Sequence, residues 1–518
     1  MLPGFILFIT AIAIWIFRKA HIRIQWFIGV TGVLSSWIMT YMIDMQIPAS
    51  LKLPIWEPEN LLHTSLILNI DEISWPICMG IVSMLLAIVL TRPSREKIYP
   101  FQEFVAILIF TGLAMISVMA RNILSIVILW TLMDGFVFTM HMLNQESKPF
   151  DSKVIGWSMR NVASTFLLIL AYVLNNAQTG NSPFESGEVT GIVLLMVMIA
   201  TFLRMPFQMF SKISDSLGWF DTGSRMLVNL FPVLTGMTGL AHLLHSGYQE
   251  EFLSIIRILG MFFMALSVFS FLFAERLQTS TVGFLSGLLG IALIGETYSD
   301  IASGSLVATS AVLSIYVLST LSFVKFFVSW NLFFPFTVAA MMIGLPGSVG
   351  GLLGQNIYNI FVTTKAYGMG LLIALSLVFL SIVLLRESIR RREAWISSDS
   401  LTRISYYVGL ILFASNGIII GLTRLYEYEI RYISSFLLML ILLGGAYLGL
   451  RDIRINTPVI RPVLSQSLRK RIISYSKIFP NVQGIIRGIG TLFEGETGML
   501  WTFVILLVLV LAIVNLGL

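Results

Sequence analysis

Apolar runs of about 20 residues follow one another along almost the whole chain, separated by short polar interruptions, and each is long enough for a helix that crosses a bilayer. About sixteen such spans are predicted at that length per crossing. They fall near 3–17, 24–44, 73–91, 102–119, 122–142, 155–174, 190–210, 224–246, 253–274, 279–295, 303–329, 333–362, 367–386, 404–423, 430–449 and 499–517. The twelfth is the long one, because it contains GLPGSVGGLLGQNIYNIF, residues 344–361. Pro346 and the glycines around it open the helix at that point, and no charged side chain sits in the break. Between the fifteenth and sixteenth spans, residues 450–498 change character. SLRKRIISYSKIF and VQGIIRGIGTLF place apolar residues at three- and four-residue steps between basic ones, the pattern of amphipathic helices lying on a membrane or on partner subunits. Pro458, Pro462 and Pro480 argue against one continuous rod.

Three units follow: a transmembrane bundle over 1–449, the basic amphipathic segment 450–498, and a last crossing within 499–518. Basic residues then orient the bundle. Arg18, Lys19 and Arg23, then Arg92, Arg95 and Lys97, then Lys148 and Lys153, then Arg276, and Arg386 with Arg390 to Arg392 occupy alternate loops. The intervening NNAQTGNSPFESGE, HSGYQEE and ETYSD carry no Lys or Arg. The alternation predicts basic loops in the cytoplasm, both termini outside and an even number of spans.

Composition agrees with lipid as the main solvent: 518 residues are 57% hydrophobic and 12% charged, with a mean hydropathy of +0.88. The net charge of +6 is accounted for by basic helix ends and needs no nucleic-acid partner. The single cysteine, Cys78, excludes an internal disulfide or an iron–sulfur cluster built by this chain alone. His242 and His245 have helical i, i+3 spacing and read as interfacial. No cofactor, metal site or catalytic site is expected in the chain, which offers neither a nucleophile–base pair nor a phosphate loop.

Ionisable residues inside spans are costly and mark function by default. Asp134, Arg160, Arg204, Lys325 and His141 are the candidates for a proton pathway. Arg160 and Lys325 lie near enough to cytoplasmic ends to snorkel, and His141 sits near the same interface. Arg204 stands two residues before Pro206, whose missing N–H frees carbonyls nearby. Asp134 has no long stem by which to escape the mid-bilayer, so it is either protonated or paired with Arg160 or Arg204; pairing is the expectation.

The order of these features resembles the antiporter-like membrane subunits of respiratory complex I, of membrane-bound hydrogenases and of Mrp-type sodium/proton antiporters. LNIDEISWP, FQEFVAILIFTGLAMISVMARNILSIVILWTLMDG, RMPFQMF, LQTSTVGFLSGLLGIALIG, TLSFVKFF and GLPGSVGGLLGQNIY carry the likeness, from about residue 70 to the C-terminus. The resemblance implies an all-α fold with an antiporter-like core at 70–390, helices seven and twelve broken at Pro206 and Pro346, and an amphipathic segment before the last helix. It also implies a hydrated row of ionisable groups: Glu in helix five, Lys at the helix-seven break, Lys or His in helices eight and eleven, Lys or Glu in helix twelve. Each charge in such a row shifts its neighbour's pKa and so moves protons along. This chain departs from the row at most positions. Thr131, Thr201, Phe231 and Gly354 stand where the family has its acid and its bases, and Lys325 alone keeps the family's residue type.

Two readings stay open. The chain is a membrane subunit of a complex I-related, multisubunit proton-translocating assembly with a rearranged relay, or a non-translocating structural subunit of such an assembly. A further alternative is the membrane half of an inorganic-carbon uptake system. The first two imply a bilayer and other integral membrane subunits as partners, among them a second, intact antiporter-like subunit; the third implies a large zinc protein as partner. The expected location is a prokaryotic inner membrane.

Overall fold

The computed structural model describes residues 2–52, 66–94, 101–143, 152–179, 191–204, 220, 222–245, 251–273, 277–298, 333–362, 365–390, 400–423, 440 and 444. Their fold is almost entirely helical. In chain order come α1 (Leu2–Ile16), α2 (Ile22–Ile43), α3 (Ser74–Thr91), α4 (Phe101–Val118), α5 (Ile123–Leu143), α6 (Ser152–Thr179) and α7 (Gly191–Arg204). There follow α8 (Thr222–His245), α9 (Glu251–Phe273), α10 (Leu277–Glu296), α11 (Phe333–Met342), α12 (Val349–Val362), α13 (Tyr367–Arg390) and α14 (Ser400–Thr423). Six stretches among the described residues are long and apolar enough to cross a membrane: Ile22–Gln46, Ser74–Thr91, Phe101–Val118, Ile123–Met142, Trp157–Leu174 and Thr402–Leu422. The chain is an integral membrane protein. The eleventh and sixteenth expected spans, the fifteenth apart from Leu440 and Gly444, the basic segment 450–498 and the Pro206 break lie outside the described residues.

The expectation of a purely helical chain misses one feature. Strands β1 (Ala49–Lys52) and β2 (Ile67–Ile70) pair antiparallel between α2 and α3, and Leu68 bridges to Ala120 at the turn from α4 to α5. The alternating burial of ILNI is the short period-two signal that a reading tuned to 20-residue apolar runs passes over. The pair ties the entrance of α3 to the entrance of α5.

The core forms around α3, where every residue from Ser74 to Thr91 is buried. In lipid an all-round apolar helix gains little from burial alone, so packing and specific hydrogen bonds fix its position. Three tryptophans supply such bonds between α2 and α3. Trp75 Nε1 donates to the Thr40 carbonyl (2.8 Å), Trp37 Nε1 to Ser83 Oγ (2.9 Å) and Trp26 Nε1 to the Val89 carbonyl (2.9 Å). On the opposite side, Ser405 Oγ of α14 donates to the Leu90 carbonyl at 2.6 Å. α4, α8 and α14 complete the cage. α9 and α10 pack on each other through Gly260 and Gly290, where a Cβ on Gly290 would lie 2.5 Å from the Gly260 carbonyl oxygen.

The opened segment between α11 and α12 is a compact turn. Gly344 and Gly347 have φ of 100° and 76°, values that L side chains rarely adopt. Gly350 leaves no room for a Cβ against the Met341 carbonyl. The carbonyls released from α11 find donors inside the turn: Leu345 N–H reaches Ala340 (3.0 Å), Gly344 N–H reaches Met341 (3.2 Å), and Ser348 N–H and Oγ reach Leu345 (3.0 and 2.6 Å). No charge is needed to satisfy this backbone.

Candidate functional site

Asp134 lies half-way along α5, the position at which a carboxylate has no route to water. Its partner is Arg204, the last residue of α7. The guanidinium grips the carboxylate through both terminal nitrogens: Nη1 donates to Oδ1 at 3.2 Å, and Nη2 forms a short contact with Oδ2. α6 passes between them and adds donors and acceptors from one stretch of helix. Asn161 Nδ2 donates to Asp134 Oδ1 (2.9 Å), and Arg204 donates from Nε to Ser164 Oγ (3.2 Å) and from Nη2 to Thr165 Oγ1 (3.3 Å). Ser164 in turn donates to the Ala200 carbonyl of α7 at 2.7 Å. The guanidinium carbon sits 4.1 Å from the centre of the Trp130 ring, so the cation is stacked as well as bonded. Arg204 is wholly buried, whereas the Asp134 side chain keeps 17% exposure.

Of the two cations considered for Asp134, the structure pairs it with Arg204; Arg160 is half-buried on α6, one turn before Ser164. Among the described residues, the acceptors of Arg204 are side chains of α5 and α6; Pro206 lies outside them. Lys325 also lies outside them. His141 is buried near the end of α5, edge-on to Trp157 with ring centres 6.2 Å apart, two turns from Asp134.

The positions at which the family resemblance implies charges are occupied differently. Thr131 is exposed and donates to the Val127 carbonyl one turn back, and Thr201 is buried and donates to Met198. Phe231 is wholly buried in α8, stacked on Phe110 at 5.5 Å, and Phe110 stacks on Phe136 at 6.3 Å. Beside these rings remains a void of about 10 Å³ with entirely apolar walls, at the lower limit for one water and without a partner for it. Gly354 is buried on α12 next to the half-buried Gln355.

A second polar cluster, at the opposite end of α8 from its start, was not singled out by sequence. Arg121 Nη1 donates to Asp71 Oδ2 (2.9 Å) and lies 2.7 Å from His242 Nδ1, itself 3.6 Å from Asp71 Oδ2. Asp71 Oδ1 accepts from the Ile73 and Ser74 N–H groups and the Ser74 hydroxyl, at 3.1, 2.9 and 2.9 Å, and so caps the start of α3. Burial works to raise the Asp71 pKa, but His242 when it is protonated, the Ser74 donors and Arg121 outweigh it and hold the carboxyl below its ordinary value. His242 is buried beneath this pair, near the end of α8. The signal available in sequence was weak: Asp71, Arg121 and His242 are separated by 50 and 121 residues.

No family model and no curated protein sequence matches the chain. Among solved structures, a subunit of the Mrp complex from Dietzia sp. DQ12-45-1b superposes with a TM-score of 0.66 at 14% identity, covering 100% of this chain and 63% of that one. A chain of the membrane-bound sulfane sulfur reductase, an archaeal respiratory membrane complex, gives 0.65 at 14% identity, covering 98% of this chain and 99% of that one. The fold is shared with these chains of two membrane complexes. The chain therefore spans less than two thirds of the Mrp subunit and nearly all of the reductase subunit. At this identity the likeness concerns backbone architecture, and the chemistry of the antiporter-like core rests on the side chains described above.

Proposed function

We propose that the chain is a membrane subunit of a multisubunit, complex I-related ion-translocating assembly, and that its Asp134–Arg204 pair holds α5, α6 and α7 together without exchanging protons. The observation that carries this is the wholly buried arginine closed on its carboxylate. A guanidinium does not release its proton near neutral pH, and both carboxylate oxygens are already taken by it, so the pair offers no open seat at which to load a proton. The aromatic stack of Phe231 on Phe110, beside a small void with apolar walls, supports the same reading, because a proton relay needs water or an ionisable side chain at that point. Helices broken at Pro206 and between α11 and α12 then belong to the inherited scaffold, as do about sixteen crossings with both termini outside. Ion movement falls to neighbouring subunits, and the basic 450–498 segment is the element proposed to lie along them.

The rearranged-relay reading keeps one specific argument. Relative to the positions at which the resemblance implies an acid and a base, both charges are shifted by three residues in the same sense, from 131 to 134 and from 201 to 204. α5 and α7 are both odd-numbered crossings counted from α3, so the pair has slid about 4.5 Å as a unit. A displaced pair is what a relay re-routed by one helical turn requires.

The double variant Asp134→Leu/Arg204→Leu separates the two. A buried pair replaced by apolar side chains of similar size is often tolerated. Proton transport by the purified assembly in proteoliposomes is expected to persist in this variant. Loss of transport from an intact assembly would establish the relay instead.

A further inference from the structure

Asp71 Oδ1 is fully engaged by the start of α3, which leaves Oδ2 as the one oxygen available to a cation. Two groups stand within reach of it, the Arg121 cation at 2.9 Å and the His242 imidazole, a cation only when protonated, at 3.6 Å. Arg121 holds the seat in this structure. Because a guanidinium only donates, its 2.7 Å contact with His242 Nδ1 requires a lone pair on that nitrogen, hence a neutral imidazole carrying its hydrogen on Nε2. A proton added at Nδ1 turns that contact into cation facing cation, and at the same time gives the imidazole a hydrogen aimed at Asp71 Oδ2.

The two competitors differ in their freedom to leave. The Arg121 side chain is 28% exposed and can turn to water, whereas His242 is 2% exposed and fixed in α8. Asp71 and Arg121, from the strand–α3 and α4–α5 junctions, are the charged groups placed within 4 Å of His242 Nδ1. α7, which also packs on α8, brings no charge to this end. Loop charges orient this end outward, and Arg121 is thus a basic residue on the side the charge rule leaves poor in them. Its neutralisation by Asp71 accounts for that placement.

We propose that Asp71, Arg121 and His242 form an outward-facing proton-binding latch, in which protonation of His242 displaces Arg121 from Asp71 and re-ties α8 to the start of α3. The site does not depend on the role assigned to Asp134 and Arg204. Below His242 on the same face of α8 lie Thr238 and Thr235, both buried, with hydroxyls donated to the Leu234 and Pro232 carbonyls of their own helix. One turn further stands Phe231 in its aromatic stack. A proton taken up from outside therefore stops at the latch: the site senses external pH and does not conduct.

The test reads His242 directly, by hydrogen–deuterium exchange at the imidazole C2 position followed by mass spectrometry of the assembled complex, in a His245→Gln background so that one imidazole reports. Exchange is expected to follow a single titration between pH 5 and 8. Arg121→Gln removes the competitor and a nearby positive charge, so the midpoint moves up, by about one pH unit. Asp71→Asn, which keeps the cap on α3, moves it down. A histidine held only for packing would leave both midpoints where they were, and that result, or a His242 that never titrates, overturns the proposal. If a substitution prevents assembly, Arg121→Lys supplies the second reading, since a lysine of different reach is expected to shift the midpoint without removing the positive charge.

Discussion

At the scale of single residues, buried charge is arranged so that each ion has a partner of matching shape. Arg204 fits a bidentate carboxylate, two hydroxyls and an indole face at once, which the compact ammonium of lysine could not do. Removing only one partner leaves the other uncompensated. Arg204→Gln is expected to destabilise the chain by about 3–5 kcal/mol, and the Leu/Leu double variant by far less. Thermal unfolding in detergent measures both, and a double variant that loses clearly more than the single one would mean that the pair does not act as a unit. Asp71 predicts a pH dependence of definite sign. Its carboxyl is held below the ordinary value, so its contribution to stability is complete above the unfolded-state pKa of about 3.9 and disappears only as pH falls through the lower folded value. Asp71→Asn should remove that acid-side dependence from melting curves recorded between pH 3 and 6. The sequence revealed Asp134 and Arg204 as expensive residues because cost in a bilayer can be read one position at a time. Which cation Asp134 would choose, and the existence of the Asp71 cluster, depend on helices brought together from distant parts of the chain. No periodicity encodes that.

At the scale of elements, backbone proximity explains the glycines of the turn between α11 and α12. Gly421 of α14 faces it, and a Cβ there would lie 2.5 Å from the Gly347 carbonyl oxygen and 2.5 Å from the Ser348 carbonyl carbon. Backbone atoms cannot step aside as a side chain can. Gly421→Ala is expected to cost about 1–3 kcal/mol by overpacking. Gly135, in the middle of α5 with no atom within 4 Å of an added Cβ, provides the contrast. Gly135→Ala is expected to be neutral or to stabilise by about 0.5–1 kcal/mol through helix propensity. Comparing the two melting temperatures checks the steric account, and equal effects would defeat it. GLPGSVGG announced an interruption in sequence because Pro346 and its glycines are poor helix formers whatever surrounds them. What the interruption packs against was hidden, since α14 follows some 50 residues later. The β1–β2 pair was hidden for a different reason: four-residue strands leave too short a pattern to stand out beside membrane helices.

At the scale of the whole molecule, the chain matches nearly the full length of one subunit of a respiratory membrane complex, and its fold was legible from the order of motifs despite 14% identity to that subunit. Order survives divergence because each motif solves a backbone problem: a capped helix entrance, a close glycine contact, an opened turn. The charged row does not survive so well, because one substitution per helix ends proton transfer while leaving the packing intact. On the proposed reading, a scaffold with Thr131, Thr201 and Gly354 at the positions where the resemblance implies a Glu, a Lys and a Lys or Glu has little to do alone. The chain reconstituted by itself in liposomes should therefore neither collapse an imposed pH gradient nor exchange sodium for protons, as read by a pH-sensitive dye inside the vesicles. Purified from native membranes under mild detergent, it should run as a hetero-oligomer whose other integral membrane subunits are identified by native mass spectrometry. A second antiporter-like chain with its acid and lysines in place is the expected neighbour. A large soluble zinc protein in its stead would move the chain to an inorganic-carbon uptake system, and gradient-driven sodium exchange by the isolated chain would make it an antiporter in its own right.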